Sequence, residues 1–177
     1  MSEVDWAAVK ALAYEEAATT PQSWLNLADD LRRAAEAVWA PFEDALPRPG
    51  RPSRAKSSPF GYGAVFLMLA GLAIENLAKG LVVQRKPPEI KDGKAVGIAG
   101  HGILARLKSA AVPLTNQDRE FIRRLEMFVS WAGRYPIPLN VAQMKVEKTI
   151  HTTDGDQFKA LFDRLKTLLL RLVKESQ

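Results

Sequence analysis

The chain has 177 residues, 47% hydrophobic and 25% charged, with a net charge of +5 and no cysteine. That length suits one folded unit with its own core, and the missing thiols exclude a disulfide scaffold, cysteine catalysis and cysteine-bound zinc. The opening Met-Ser-Glu-Val-Asp-Trp carries two acids where a secretory leader has a basic and then an apolar segment, so a cytoplasmic location is expected.

Residues 2–18 read as a short helix, with Ser2 and Asp5 in capping-box positions and Trp6, Val9 and Ala13 on one face. Thr20 followed by Pro21 marks a second start, a capping hydroxyl before proline at the first helical position. Beyond it Trp24, Ala28, Leu31, Ala35, Val38 and Phe42 recur at spacings of four and three, an apolar stripe opposite Asp29, Asp30, Arg32, Arg33 and Glu36. Pro41 is expected to kink or end this helix.

Residues 47–59 contain four prolines and read as a connection inside one domain. No acid occurs between Asp44 and Glu75, whereas Arg48, Arg51, Arg54 and Lys56 crowd this stretch. Such a patch attracts phosphate or an acidic partner; the plainer account is a hydrated basic loop.

From Phe60 to Arg85 the chain is apolar on nearly every side as far as Ile74, the mark of a central bundle helix. Its uncharged run, Gly61 to Ile74, is 14 residues, short of the about 20 that cross a bilayer, so no membrane association is expected. Gly71 and Gly80 suggest close neighbours, since glycine costs roughly 1 kcal/mol against alanine in a helix. Glu75 and Lys79 stand one turn apart in the favoured order. If they point inward their charges need partners, with His101 or Arg134 as candidates.

A glycine-containing loop, Glu89 to Gly100, leads to His101 and a short helix over 102–111 with Ile103, Leu104 and Leu107 inward. Thr115 and Asp118 form a capping box for the next helix. There Phe121, Ile122, Leu125, Phe128, Val129 and Ala132 define the buried face, and Gly133 closes it. Residues 134–139 must be extended, because two prolines disfavour helix before them. Met144, Val146 and Ile150 alternate as an extended strip. Asp154 or Asp156 then caps a last helix carrying Phe158, Leu161, Phe162, Leu165, Leu168, Leu169 and Leu172. The expected architecture is all-α, a single helical-bundle domain over 1–177 with about four long helices and one or two short ones.

No phosphate-binding glycine loop, His-Glu-x-x-His or Gly-x-Ser-x-Gly occurs, and His101 and His151 are fifty residues apart. Neither a metal nor a cofactor is expected, and no residue is assigned a catalytic role. The candidate polar cluster is Glu75, Lys79, His101, Arg134 and Tyr135. His101 is an imidazole, the side chain best suited to proton transfer, and follows a glycine loop; the plainer role is a ring bonded at the start of a helix. Arg134 and Tyr135 could frame an anion site, or simply cap and pack. Trp6, Trp24, Trp39 and Trp131 read as core or interface residues.

Three stretches taken together resemble the HEPN superfamily of prokaryotic helical-bundle proteins. They are Ala73-Ile74-Glu75-Asn76-Leu77-Ala78-Lys79-Gly80-Leu81, Gly100-His101-Gly102-Ile103-Leu104-Ala105-Arg106-Leu107, and Trp131-Ala132-Gly133-Arg134-Tyr135-Pro136. The resemblance spans roughly residues 60 to 140. It implies a bundle that dimerises through long helices and, in many relatives, a metal-independent ribonuclease of defence or toxin–antitoxin systems with an Arg-x(4–6)-His signature. Here the positions after Arg134 that would carry histidine are Leu139, Asn140 and Val141. Without that imidazole the usual proton-transfer partner is missing. The expectation is therefore a non-catalytic HEPN-like binding or complex-forming module, a homodimer, with RNA, a nucleotide or a partner protein as its ligand. The alternatives are a ribonuclease with a degenerate site, using Arg134 with His101, and a structural or immunity-type partner subunit.

Overall fold

The computed structural model describes residues 4–45, 59–134, 140 and 150–176. Within them six α-helices, one π-helical turn and a two-stranded hairpin follow in order, an all-α bundle as the periodicity predicts. The basic residues Arg48, Arg51, Arg54 and Lys56, together with Tyr135, Met144 and Val146, lie outside the described residues.

Helix α1 (Trp6–Thr19) begins later than the sequence suggests. Asp5 caps it, its carboxylate accepting the backbone N–H groups of Ala7 and Ala8 at 3.0 and 3.1 Å, whereas Ser2 lies outside the described residues. Its expected packed face is open, since Trp6 and Val9 are exposed and Ala18 is the one buried residue of α1. Helix α2 (Pro21–Ala45) starts at its proline as expected, but Pro41 does not end it. The last turn is held by packing that outweighs the lost backbone bond: Phe42 is buried, with its ring centroid 4.9 Å from that of Trp39.

Helix α3 (Pro59–Arg85) opens one residue before the expected start and runs through the centre. It is long and apolar enough to cross a membrane, and two-thirds of its most apolar stretch is buried by the other elements. Phe66, Leu67, Ile74, Leu77 and Leu81 fill the core, with α2 along one side and α6 on another. The loop that follows contains what the sequence reading missed, a minimal antiparallel pair β1 (Ile90–Lys91) and β2 (Lys94–Ala95) with Ile90 opposite Ala95. Asp92 and Gly93 both take positive φ, as a two-residue hairpin turn requires.

Helix α4 (Ile103–Ser109) and helix α5 (Asn116–Met127) form a corner against α3. The Thr115–Asp118 capping box at the start of α5 is complete. The helix then widens into a π turn (Phe128–Ala132), where Gly133 N–H reaches the Phe128 carbonyl at 3.0 Å. Gly133 closes it without a left-handed backbone, its φ being −86°; a Cβ there would lie 2.5 Å from that of Met68. Helix α6 (Asp154–Glu175) buries Phe158, Leu161, Phe162, Leu165 and Leu169 as its rhythm predicts. Thr153, not an aspartate, sits at its N-cap, and its side chain makes no capping bond.

Candidate functional site

Three of the five expected polar residues meet. Helical spacing puts Glu75 and Lys79 on one face of α3, and the loop before α4 brings His101 to the same point. Glu75 is only 2% exposed, and its two oxygens are both used: Oε1 lies 2.7 Å from Lys79 Nζ and Oε2 lies 2.9 Å from His101 Nδ1. A carboxylate can only accept, so Nδ1–H donates and a neutral ring keeps its lone pair on Nε2. The His101 side chain is 49% exposed. Lys79 also sits over the Trp24 ring, 5.3 Å from its centroid. Trp24 in turn donates from Nε1 to the Ala18 carbonyl at 3.1 Å, tying the cluster to the joint between α1 and α2.

The arrangement depends on a residue that sequence reasoning passed over. Arg106 of α4 is buried, and its guanidinium donates to the carbonyls of Ile98 at 3.1 Å, Ala99, Gly100 at 3.0 Å and Gly102 at 2.9 Å. It clamps the loop that presents His101. Gly100 supplies the positive φ of 87° that wraps this loop around the clamp. Arg106 Nε has no partner among the described residues, so its burial is only partly compensated. On the far side, Leu104 N–H donates to Glu126 Oε1 at 2.9 Å, fixing the first turn of α4 to α5. The sequence signal for Arg106 was its place among Ile103, Leu104 and Leu107, an arginine on an inward-facing strip.

Arg134 follows the π turn at a different level of α3 from Glu75. Its neighbour Gly133 packs against Ala64 and Met68 of α3. Glu75 lies seven to eleven residues farther along, about 10–16 Å of helix. Arg134 itself is exposed, with its N–H bonded to the Trp131 carbonyl at 2.9 Å.

A second buried ion pair lies elsewhere. Asp154, with a fully buried side chain, receives Arg124 through both guanidinium nitrogens at 2.5 and 3.1 Å and the His151 backbone N–H at 2.9 Å. Its bonds to Arg124 join α5 to α6 and the one from His151 holds the turn before α6, which marks it as structural. Among the described residues no three His, Asp or Glu side chains gather as a metal ion would need.

Two apolar features are open to solvent. On α1, Trp6 is 66% and Leu12 68% exposed, with Val9 and Tyr14 also uncovered, as is Val4 just before the helix. Between the Val112–Pro113 turn and α6 lies a groove of about 510 Å³, floored by Val112, Pro113, Leu165 and Leu168 and rimmed by Asp163, Arg164 and Arg171. Neither was singled out from the sequence, where Trp6 and Val9 read as an ordinary packed face.

The fold and these sites define a small all-α bundle with a clamped histidine–carboxylate–lysine cluster and an uncovered N-terminal helix. No family model matches the chain, and neither the curated proteins nor the solved structures contain a match.

Proposed function

We propose that the chain is a non-catalytic, HEPN-like module that acts by forming complexes, as a homodimer that engages RNA, a nucleotide or a partner protein. The observation that carries this reading is helix α1. It is apolar on most sides, the pattern of a helix meant to be covered, yet it buries only Ala18 against its own chain. Isolated helices of this length are marginal in water, so a covering surface supplied by another molecule accounts for both its composition and its exposure. The state of the polar cluster supports the non-catalytic part: Lys79 is neutralised by Glu75, and Arg134 is on another level of α3. The test is the mass in solution by light scattering at micromolar concentration, with an RNA gel-shift alongside. A dimer is expected; a strict monomer that shifts no RNA and co-purifies with nothing from its native host would remove the reading.

The alternative of a metal-independent ribonuclease keeps one observation in its favour. Glu75 fixes the His101 ring so that Nε2 is the accepting nitrogen, as a general base needs. RNA cleavage by the purified chain that disappears in His101→Ala would favour this alternative. Cleavage unchanged by that substitution removes His101 from any such role.

A further inference from the structure

We propose that the Asp92–Gly93 turn is a site of spontaneous backbone modification, at which Asp92 converts to isoaspartate and the hairpin loses its hold on α1. The chain contains two Asp-Gly sequences, Asp92–Gly93 and Asp154–Gly155, and no Asn-Gly. Glycine in the second place makes such a sequence reactive, because no side chain shields its backbone nitrogen from the preceding carboxyl. In the first step the Gly93 nitrogen attacks Asp92 Cγ. The nitrogen's proton and the hydroxyl of the protonated carboxyl leave as water, and a five-membered succinimide closes. Water then opens the ring at either carbonyl. Opening at the backbone carbonyl leaves the chain running through Cβ and Cγ, with the former backbone carbonyl now a free carboxylate. Mass and charge are unchanged, and water is the one co-reactant.

The fold selects the first sequence over the second. Asp92 and Gly93 are exposed at the tip of the β1–β2 hairpin, and the Asp92 carboxyl has no partner among the described residues. A Cβ on Gly93 would meet nothing within 4 Å, so the closing ring and the water that opens it have room. Closure needs rotation of the backbone between Asp92 and Gly93, and little restrains it. The ladder is Ile90 opposite Ala95 and Lys91 opposite Lys94, and so short a hairpin is marginal by itself. Asp92 also holds a φ of 50°, a left-handed conformation disfavoured for an L residue. Asp154 is the opposite case. Its side chain is fully buried, and its oxygens are taken by Arg124 and the His151 N–H. The Gly155 backbone is pressed against Trp39, where a Cβ would clash with the ring. Neither the carboxyl nor the nitrogen there can swing towards the other.

The consequence for α1 follows from the ladder. Val96 N–H donates to the Glu89 carbonyl at 2.9 Å, and bonded and non-bonded pairs alternate along antiparallel strands, so the Ala95 N–H points out of the hairpin. There the Tyr14 hydroxyl of α1 accepts it at 3.0 Å. Isoaspartate puts one extra carbon into the backbone, which a two-residue turn cannot absorb without losing its register. The Ala95–Tyr14 bond goes with the register. The damage stops short of His101, because Ile98 is buried and Arg106 holds the carbonyls of Ile98, Ala99 and Gly100.

The experiment ages the full folded chain at neutral pH for several half-lives of the same conversion in the urea-unfolded chain. Peptide mapping uses an endoprotease that cleaves before aspartate and not before isoaspartate. Loss of cleavage before Asp92 is expected, with cleavage before Asp154 retained. The Ala95 amide and Tyr14 ring resonances should shift as Asp92 converts, while those of the His101 ring stay in place. Asp92→Glu, whose imide would be six-membered and slow to close, should age without either change. Full cleavage before Asp92 after ageing overturns the proposal, and equal conversion at Asp92 and Asp154 overturns the selection by the fold. Tyr14 resonances that stay put while Asp92 converts, or that move equally in aged Asp92→Glu, overturn the link to α1.

Discussion

At the scale of single residues, Glu75 holds two partners at once in a place where water cannot help. It is nearly fully buried, with Lys79 and His101 each on one oxygen. Removing one member of such a pair leaves an uncompensated charge, which costs about 3–5 kcal/mol. Glu75→Gln is therefore expected to lower stability by that order, measured by urea denaturation. Glu75→Leu combined with Lys79→Met should recover most of it, since a well-packed apolar pair replaces a buried ion pair at little cost. Equal losses in the single and double variants would mean that Lys79 is already satisfied without Glu75. Arg106 acts one step back from the cluster. Its planar fork reaches four carbonyls, which a lysine ammonium cannot reproduce. Arg106→Lys should cost about 2–3 kcal/mol and shift the His101 ring resonances, because the loop that presents the ring loses its clamp. Unmoved His101 resonances in a destabilised variant would show that the loop keeps its shape by other means.

At the scale of elements, the glycines of α3 separate close packing from mere helix weakening. A Cβ on Gly71 would lie 2.5 Å from Val129 Cγ2 and 3.2 Å from the Leu125 carbonyl, whereas one on Gly61 meets nothing within 4 Å. Gly71→Ala should thus destabilise by about 1–3 kcal/mol through overpacking, and Val129→Ala added to it should relieve part of that. Gly61→Ala, in the same helix, should stabilise by about 0.5–1 kcal/mol. Thermal melts of the variants decide it, and two effects of the same sign would sink the distinction. The helices themselves were legible because burial imposes a period: Phe158 to Leu169, and Phe121 to Val129, repeat every three to four residues. Capping was legible where it is local, as with Thr115 and Asp118. What the sequence hid is what depends on a third element. Glu75 and His101 are 26 residues apart and meet only because Arg106 folds the loop back. Trp6 and Val9 look like a packed face in the sequence, because a period tells that a face is apolar and not what covers it. Arg134 looked like a neighbour of the cluster because sequence order does not give its height along α3.

For the whole molecule, the last helix is fastened by charge as well as by its apolar face. Lys166 meets Asp29 at 2.7 Å, Asp163 meets Arg32 at 2.5 Å, Arg164 meets Asp118 at 2.7 Å, and Asp154 takes Arg124. Every one of these contacts needs an ionised carboxylate, so the attachment of α6 to α2 and α5 is sensitive to acid. Arg32 is held above its ordinary value: burial opposes its charge, and Glu36 and Asp163 outweigh that opposition. Being protonated at any working pH, it adds no pH dependence of its own. Asp118 does. Its side chain is 13% exposed. Burial raises its pKa, but the Arg164 guanidinium and the Thr115 N–H and hydroxyl lower it further, leaving it below the ordinary 3.8. A carboxyl whose folded pKa is depressed stabilises the fold above its unfolded pKa and loses that contribution as pH falls through the folded value. The urea midpoint of the parent should accordingly hold steady from neutral pH to roughly pH 5 and then fall, with part of that fall due to Asp118. Asp118→Asn should be less stable at neutral pH and flatter on the acid side, so the two curves approach each other as pH drops below the Asp118 pKa. Parallel curves over that window would show that the Arg164 contact contributes nothing to holding α6 in place.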